Sequence, residues 1–302
     1  MTALHNTVVE HAGAYGGMTA DEAAAFVSGV VRDPDADTRL VFTHSGDLVG
    51  MAMVGTPPAG GFRMDTLGGV HPAWRGRGLG RELLAWQLER ARRIHRELAP
   101  TATWQLHCQA FQDDHEAMRL FDRFGLTPTR YWFDMAADTS QARAVPVPVG
   151  FAVRTYAAPL QAELHAAHME TFADHWGFQR RELREWVGLT IGTADFVPEL
   201  SLLGYAGVDL AGYVLSYRDP DPERLFIGQV GVRRPWRRRG LAVALLTAVL
   251  RAAAAAGHKR VNLVVDADNP TGAVGVYERA GFTVEARAVT YAATFGGQPA
   301  AA

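Results

Sequence analysis

The spacing of apolar residues switches several times between helical and strand periods, and each switch marks an element. Ala20–Val31 and Leu79–Leu98 repeat apolar residues at helical spacing, and Pro100 ends the second run. Asp114–Phe124 reads as a helix stopped by Gly125. Between these lie strand patterns at Arg39–Thr43, Asp47–Val54, Arg63–Val70 and Thr103–Gln109, and Arg130–Met135 closes the first set. Thr7–Glu10, with two adjacent valines, reads as a further short strand. Asp138–Gly150 then loses all periodicity and carries Pro146 and Pro148, the composition of a linker.

After it the order of elements restarts. Phe151–Thr155 is a strand; Gln161–Phe172 and Glu182–Val187 are helical. Ser201–Tyr205, Leu210–Tyr217 and Leu225–Val232 are strands, and Leu241–Ala256 is an apolar helix. Arg260–Asp266, Ala273–Ala280 and Val284–Thr294 complete a strand, a helix and a last strand. The mixed order predicts an α/β chain with two domains, 1–138 and 151–302, joined by a linker at 139–150. Each domain is built on a central mixed sheet flanked by helices.

The two halves share one segment almost residue for residue. Val70-His71-Pro72-Ala73-Trp74-Arg75-Gly76-Arg77-Gly78-Leu79-Gly80 stands about half the chain length before Val232-Arg233-Arg234-Pro235-Trp236-Arg237-Arg238-Arg239-Gly240-Leu241-Ala242. Each copy leaves a strand and opens a helix. A helix start leaves backbone N–H groups unpaired and carries the positive end of the helix dipole, so it suits an anion. Gly78 and Gly80, and Gly240 and Ala242, let a phosphate approach the backbone. Arginine adds permanently charged, fork-shaped donors. No Gly-Lys-Ser/Thr follows, which excludes a nucleotide P-loop, and the dinucleotide pattern G-x-G-x-x-G is absent.

Composition narrows the setting. At 48% hydrophobic, 302 residues suffice for two cores, in domains of about 145 residues each. The formal charge of −2 and the absence of a broad basic face argue against nucleic acid, despite five arginines between Arg233 and Arg239. Cys108 is the single cysteine, so no intrachain disulfide forms. The start lacks a signal-peptide pattern, and the apolar run from Leu241 to Gly257 is broken by Arg251 and too short for a bilayer. A cytoplasmic protein without membrane contact, monomeric or homodimeric, is expected.

The repeated Arg-x-x-Gly-x-(Gly/Ala) resembles the acyl-CoA motif of the GCN5-related N-acetyltransferase (GNAT) family. A second stretch, Asn269-Pro270-Thr271-Gly272-Ala273-Val274-Gly275-Val276-Tyr277-Glu278-Arg279-Ala280-Gly281-Phe282, resembles the family's later Asn-x-x-x-Ala-x-x-x-Tyr-Glu-x-x-Gly-Phe pattern. The layout is similar to that of tandem GNAT proteins, mycothiol synthase among them. The resemblance implies two GNAT domains and acetyl-CoA, or another acyl-CoA, as donor. In the C-terminal half Arg237, Arg238, Arg239, Gly240, Leu241 and Ala242 would hold the pyrophosphate. Val230 and Val232 would pair with the pantetheine arm, Asn269 would contact it, and a backbone N–H near Val230–Val232 would serve the oxyanion. Val70, Arg75, Gly76, Arg77, Gly78, Leu79 and Gly80 would be the N-terminal counterparts.

The halves differ where chemistry is concerned. Aligning the later motifs sets Asn269 against Asp113 and Tyr277 against Phe121. The family places a proton donor for the leaving thiolate where Tyr277 stands. Phe121 has no proton to give, and Asp113 puts a carboxylate near an anionic ligand. The C-terminal domain is therefore expected to catalyse, and the N-terminal domain to bind CoA without turnover or to be structural. His175, in Asp174-His175-Trp176-Gly177, is the candidate general base, with Trp176 as a pocket wall; Asp266 and Glu170 are the other candidates, and a water relay is a further one. His165 and His168, beside Glu163 and Glu170, read as a solvated helix face rather than a metal site. His107 and Cys108 read as packing residues, and Trp74 and Trp236 as residues packed under the turns. The expected function is acetyl transfer from acetyl-CoA to a primary amine of a small molecule. The alternative is a non-catalytic acyl-CoA-binding module or sensor.

Overall fold

A computed structural model describes residues 1–13, 17–269 and 271–296; Pro270 of the second motif lies outside them. The chain forms two compact units. The first comprises Met1–Tyr131, Gln179–Arg181 and the segment from Arg287 onward; the second comprises Trp132–Phe178 and Glu182–Ala286.

The first unit opens with α1 (Thr2–His11), α2 (Ala20–Val30) and the single turn α3 (Pro34–Asp37). β1 (Thr38–Phe42), β2 (Leu48–Val54), β3 (Arg63–Val70), α4 (Leu79–Leu98), β4 (Trp104–Phe111) and α5 (His115–Arg123) follow. α2 begins at a capping box in which Thr19 and Glu22 bond each other's backbone N–H at 3.1 and 2.8 Å. α4 lays Leu84, Leu88, Ala91 and Ile94 onto a core shared with Leu106 and Cys108 of β4. The expected strand at Thr7–Glu10 is instead part of α1. Leu4 and Val8 stand four apart on it, and Val8 comes within 3.1 Å of the place a Gly69 Cβ would occupy. Contact with β3 thus overrides the β-branched preference of Thr7-Val8-Val9. The apolar pattern does not show α3, which Asp33 caps; its Asp37 is fully buried against Arg90 at 2.6 Å.

The second unit holds β6 (Ala152–Thr155), α6 (Gln161–Thr171), α7 (Leu183–Leu189), β7 (Leu202–Ala206), β8 (Asp209–Arg218), β9 (Arg224–Val232), α8 (Leu241–Ala255), β10 (Arg260–Asp266) and α9 (Ala273–Ala280). Its sheet has two covered faces. On one, α8 packs Leu245, Leu246, Val249 and Leu250 against Leu225, Ile227, Val261 and Leu263. On the other, Leu164 of α6 and Trp186 of α7 pack against Leu203, Tyr213 and Leu215. Burial on both sides explains why β8 reads as a nearly continuous apolar run.

Two long strands serve both units in part: β5 (Thr127–Asp138) and β11 (Thr283–Phe295). The first unit's sheet runs β1-β2-β3-β4 and closes with Ala288–Phe295 of β11, antiparallel to β4. The second runs β6-β7-β8-β9-β10 and closes with Trp132–Asp138 of β5, antiparallel to β10. The expectation that Arg130–Met135 closes the first set of strands is therefore corrected. Alternation fixes which face a strand buries, not which neighbour it pairs with. Gln179 belongs to the first unit because its Oε1 accepts the backbone N–H groups of Phe62 and Arg63, at 2.8 and 2.7 Å.

Candidate functional site

The same turn follows β3 in the first unit and β9 in the second. In the first, a short 3-10 turn at Pro72–Trp74 leads to Arg75 in extended geometry, Gly76 at φ 74° and Gly78 at φ 87°, which caps α4. In the second, a 3-10 turn at Arg234–Trp236 leads to extended Arg237, Arg238 at φ 61° and Gly240 at φ 83°, which caps α8. Each turn thus carries two left-handed residues immediately before its helix. Glycine accepts that geometry without cost; Arg238 adopts it as an L-residue. Gly80 would bring a Cβ to 3.5 Å from Leu120, an ordinary contact, so Ala242 fits at the matching position.

Both units also part their strands beside the turn. β3 and β4 pair in parallel only from Arg63↔Gln105 to Asp65↔His107. β9 and β10 pair only from Arg224↔Arg260 to Ile227↔Leu263. Beyond these points the edges of β3 and β9 that faced the neighbour present backbone groups to a gap. In the first unit the gap opens into a cleft of about 1050 Å³. Val70, Arg75, Gly76, Arg77, Gly78, Leu79 and Gly80 all line it, as do Cys108 and Phe121. Cys108 is buried in this wall, and burial pushes its thiol up to about 11, so it stays protonated. Trp74 borders the cleft with the Arg77 guanidinium 4.4 Å over its ring, rather than packing beneath the turn. Trp236 does pack against the apolar core.

The arginines are not equivalent. Arg75 holds Asp114 by both nitrogens, at 3.1 and 3.4 Å, while Asp114 caps α5. Arg237 donates from Nε to the Val232 carbonyl at 3.0 Å and from Nη1 to Asp174 at 3.3 Å. Asp174 also takes Arg234 at 2.7 Å, and hydrogen bonds from Arg234 hold its carboxyl below the usual range. Glu170 accepts from Arg233 Nε and from the Arg234 backbone. Burial pushes its carboxyl up, but these bonds outweigh it and the net shift is downward. Glu170 is thus tied into ion pairs. Arg238 and Arg239 are exposed and have no acidic partner among the described residues.

Tyr277 is half-buried on α9, edge-on to Phe282 at 6.1 Å, and burial raises its pKa, which keeps the proton on the phenol. Its counterpart Phe121 contacts Tyr291 at 5.3 Å. The side-chain carbonyl of Asn269 accepts from Thr271 N and Oγ1 at 2.9 and 2.6 Å, which leaves its amide N–H₂ for another group. Val230 and Val232 are half-buried on the free part of β9, with their side chains toward the α8 core. His175 stacks on Phe172 at 4.3 Å. Burial lowers its pKa; Asp266 pulls it up and Arg237 pushes it down, so the imidazole is neutral at pH 7.

His165 and His168 do not lie on a solvated face. His168 is 9% exposed, bonds the Tyr213 hydroxyl at 3.2 Å and stacks on Phe172 at 4.2 Å. His165 contacts Trp186 at 5.5 Å. Burial, aided by His165 and His175, pushes His168 down to about 3. His107 is buried beside Gln105. Among the described residues no three His, Cys, Asp or Glu side chains converge as a metal ion would need, and no helix is long and apolar enough to cross a membrane.

Sequence reasoning missed Asp134 and Asn262, both on strands of the second unit. Each has a buried oxygen without a hydrogen-bond partner, Oδ2 and Oδ1 respectively. The signal was a carboxylate between Phe133 and Met135 in a strand otherwise built for packing. It also missed why β9 carries Gly228 and Gly231: a Cβ at either would meet the ring of Tyr217 or Tyr213 at 2.5 Å.

Comparison with known proteins agrees with this geometry. A profile of the acetyltransferase (GNAT) family matches residues 161–282, and a GNAT domain profile matches residues 35–127. A mycothiol acetyltransferase of Clavibacter sepedonicus is 33% identical over 228 residues, 74% of this chain and 70% of that protein. One from Tsukamurella paurometabola is 31% identical over 261 residues, 80% and 82% of the two chains. Among solved structures, a GCN5-related N-acetyltransferase of Sphaerobacter thermophilus superposes with a TM-score of 0.79 at 27% identity, over 98% of this chain and 92% of its own. A tandem GNAT protein from the clavulanic acid biosynthesis pathway shares the fold, with a TM-score of 0.68 at 18% identity over 97% and 94%. With one domain profile in each half, and relatives above 30% identity covered over more than two thirds of their length, the chain belongs to the GNAT family as a tandem-domain acyltransferase.

Proposed function

We propose that the second unit transfers an acetyl group from acetyl-CoA to a primary amine of a small molecule by direct attack. The observation that carries this is the contrast at one position: Tyr277 keeps a phenol where the first unit has Phe121. The parting of β9 from β10 and the left-handed turn before α8 fit a pantetheine arm and a pyrophosphate respectively. Acetyl-CoA supplies the activated thioester. The α8 N–H groups, with Arg238 and Arg239, bind its phosphates, and Arg237 braces the turn from behind through Val232 and Asp174. Asn269 and the backbone at Val230 and Val232 orient the arm, and free N–H groups on that edge stabilise negative charge on the acetyl oxygen. His175, neutral and close enough to Asp266 to be polarised, takes the proton of the attacking amine. Tyr277 returns a proton to the departing sulfur.

The first unit supports a second reading for itself. Its cleft keeps the turn but lacks the phenol, which suits an acyl-CoA bound without turnover. The relatives named mycothiol acetyltransferase make an acceptor of that type one version of the reaction. The test is release of free thiol from acetyl-CoA in the presence of primary amines, with a thermal-shift screen to rank them. Amine-dependent thiol release supports the proposal. Tight CoA binding with no amine ever acetylated replaces it with the sensor reading.

A further inference from the structure

The face of the second sheet turned away from α8 carries two polar side chains, Asp134 and Asn262, that the proposed reaction leaves unused. Val261, Leu263 and Val265 of β10 point into the α8 core, so Asn262, Val264 and Asp266 share the other face. β5 pairs Ala136 with Asn262, Asp134 with Val264 and Trp132 with Asp266. Directly opposed residues in an antiparallel pair share a face, so Asp134 stands there too, with Asn262 and Asp266 as its diagonal neighbours.

Two acceptor atoms on this face are buried without a donor, Asp134 Oδ2 and Asn262 Oδ1. Asn262 is 7% exposed. Such atoms are costly to bury unless something arrives to bond them. Burial pushes the Asp134 carboxyl up to about 7, and a cation placed beside it would favour its ionised form. Between them Val264 is 46% exposed, so the face is open to a ligand. Trp132, two residues from Asp134 on the same face, meets Trp176 edge-on at 6.1 Å. Aromatic rings beside a carboxylate suit an ammonium group.

We infer that Asp134 and Asn262 bind a second protonated amine of the acceptor, with Trp132 and Trp176 as the wall, so that the acceptor class is a small diamine. This rests on the acetyltransferase reading of the second unit: one amine is held here while the other is presented toward His175 and Asp266. Asp134 and Asn262 are binding residues in this account, and no proton transfer is assigned to them.

The test compares 1,4-diaminobutane with butylamine by calorimetry on the full chain loaded with CoA. A charge-assisted hydrogen bond in a dry site predicts about tenfold to a hundredfold tighter binding of the diamine. Asp134→Asn, nearly the same shape, removes that preference, and Asn262→Leu reduces it; an unchanged circular dichroism spectrum and melting curve confirm the fold. Equal binding of the two amines by the unaltered protein, or a preference that survives Asp134→Asn, overturns the inference. A diamine that binds through Asp134 but is never acetylated supports this pocket and overturns the acetyl-transfer reading instead.

Discussion

Replacing Gly240 with Ala tests the left-handed geometry on which the turn before α8 is built. Gly240 sits at φ 83°, ψ −4°. A Cβ there would lie 3.5 Å from Pro148 Cγ, an ordinary contact, so no clash is added. The cost is then backbone strain, about 1–2 kcal/mol for an L-residue in the left-handed region. The stiffer unfolded chain returns about 0.4–1 kcal/mol. A net loss of about 1 kcal/mol corresponds to a fall of about 2–4 °C in Tm for a unit of this size. Arg238→Gly runs the other way, since Arg238 already occupies that region at φ 61°; a gain of about 0.5–1 kcal/mol is expected. Scanning calorimetry on both variants reads the shifts, and only the transition of the second unit should move. A Gly240→Ala protein that melts like the parent, or an Arg238→Gly protein that melts lower, would refute the left-handed pair as the basis of the turn.

Arg238→Ala combined with Arg239→Ala should weaken CoA binding measurably, since these exposed arginines have no acidic partner among the described residues, while Arg237→Ala should mainly lower Tm by releasing Val232 and Asp174; calorimetric titration and melting curves read the two effects apart. Two CoA molecules per chain are expected, and native mass spectrometry of a Gly78→Ala variant checks that the first-unit site is the weakened one. His168 is held neutral down to about pH 3 in the folded chain but titrates at about 6.5 when unfolded. The unfolded state therefore binds more protons between those values, so this contribution is present above pH 6.5 and is lost as pH falls toward 3. Tm measured from pH 7 to 4 should fall, and less steeply in His168→Phe.

The turns were legible because their chemistry is local. A glycine without a Cβ and an arginine with its fork of donors act through their own residue, so Gly78, Gly240 and the arginines beside them mark the site without reference to the rest of the chain. Most strands and helices were legible for the same reason. α1 was not, because its helical state depends on Val8 meeting Gly69 some sixty residues away. The partners of β5 and β11 were not, because Trp132–Asp138 and Ala288–Phe295 alternate in the same way whichever sheet receives them. Nor did the run Arg233–Arg239 disclose which arginines are committed: Glu170 and Asp174 sit on and just after α6, and only the fold brings them to Arg233, Arg234 and Arg237. The same holds for His168, whose helix position gave no hint of the buried bond to Tyr213.

Catalysis by the second unit turns on Tyr277 as the proton donor in the proposed reaction. The direct measurement is turnover of an accepted amine, followed by thiol release, in Tyr277→Phe beside the parent, with acetyl-CoA affinity measured on the same samples. The ring packs against Phe282 with or without its hydroxyl, so affinity should be nearly unchanged. Turnover should fall by about 10²–10⁴-fold, the worth of general acid assistance. Phe121→Tyr in the first unit should not restore it. Equal turnover with Phe at position 277 would contradict the account and hand proton donation to water.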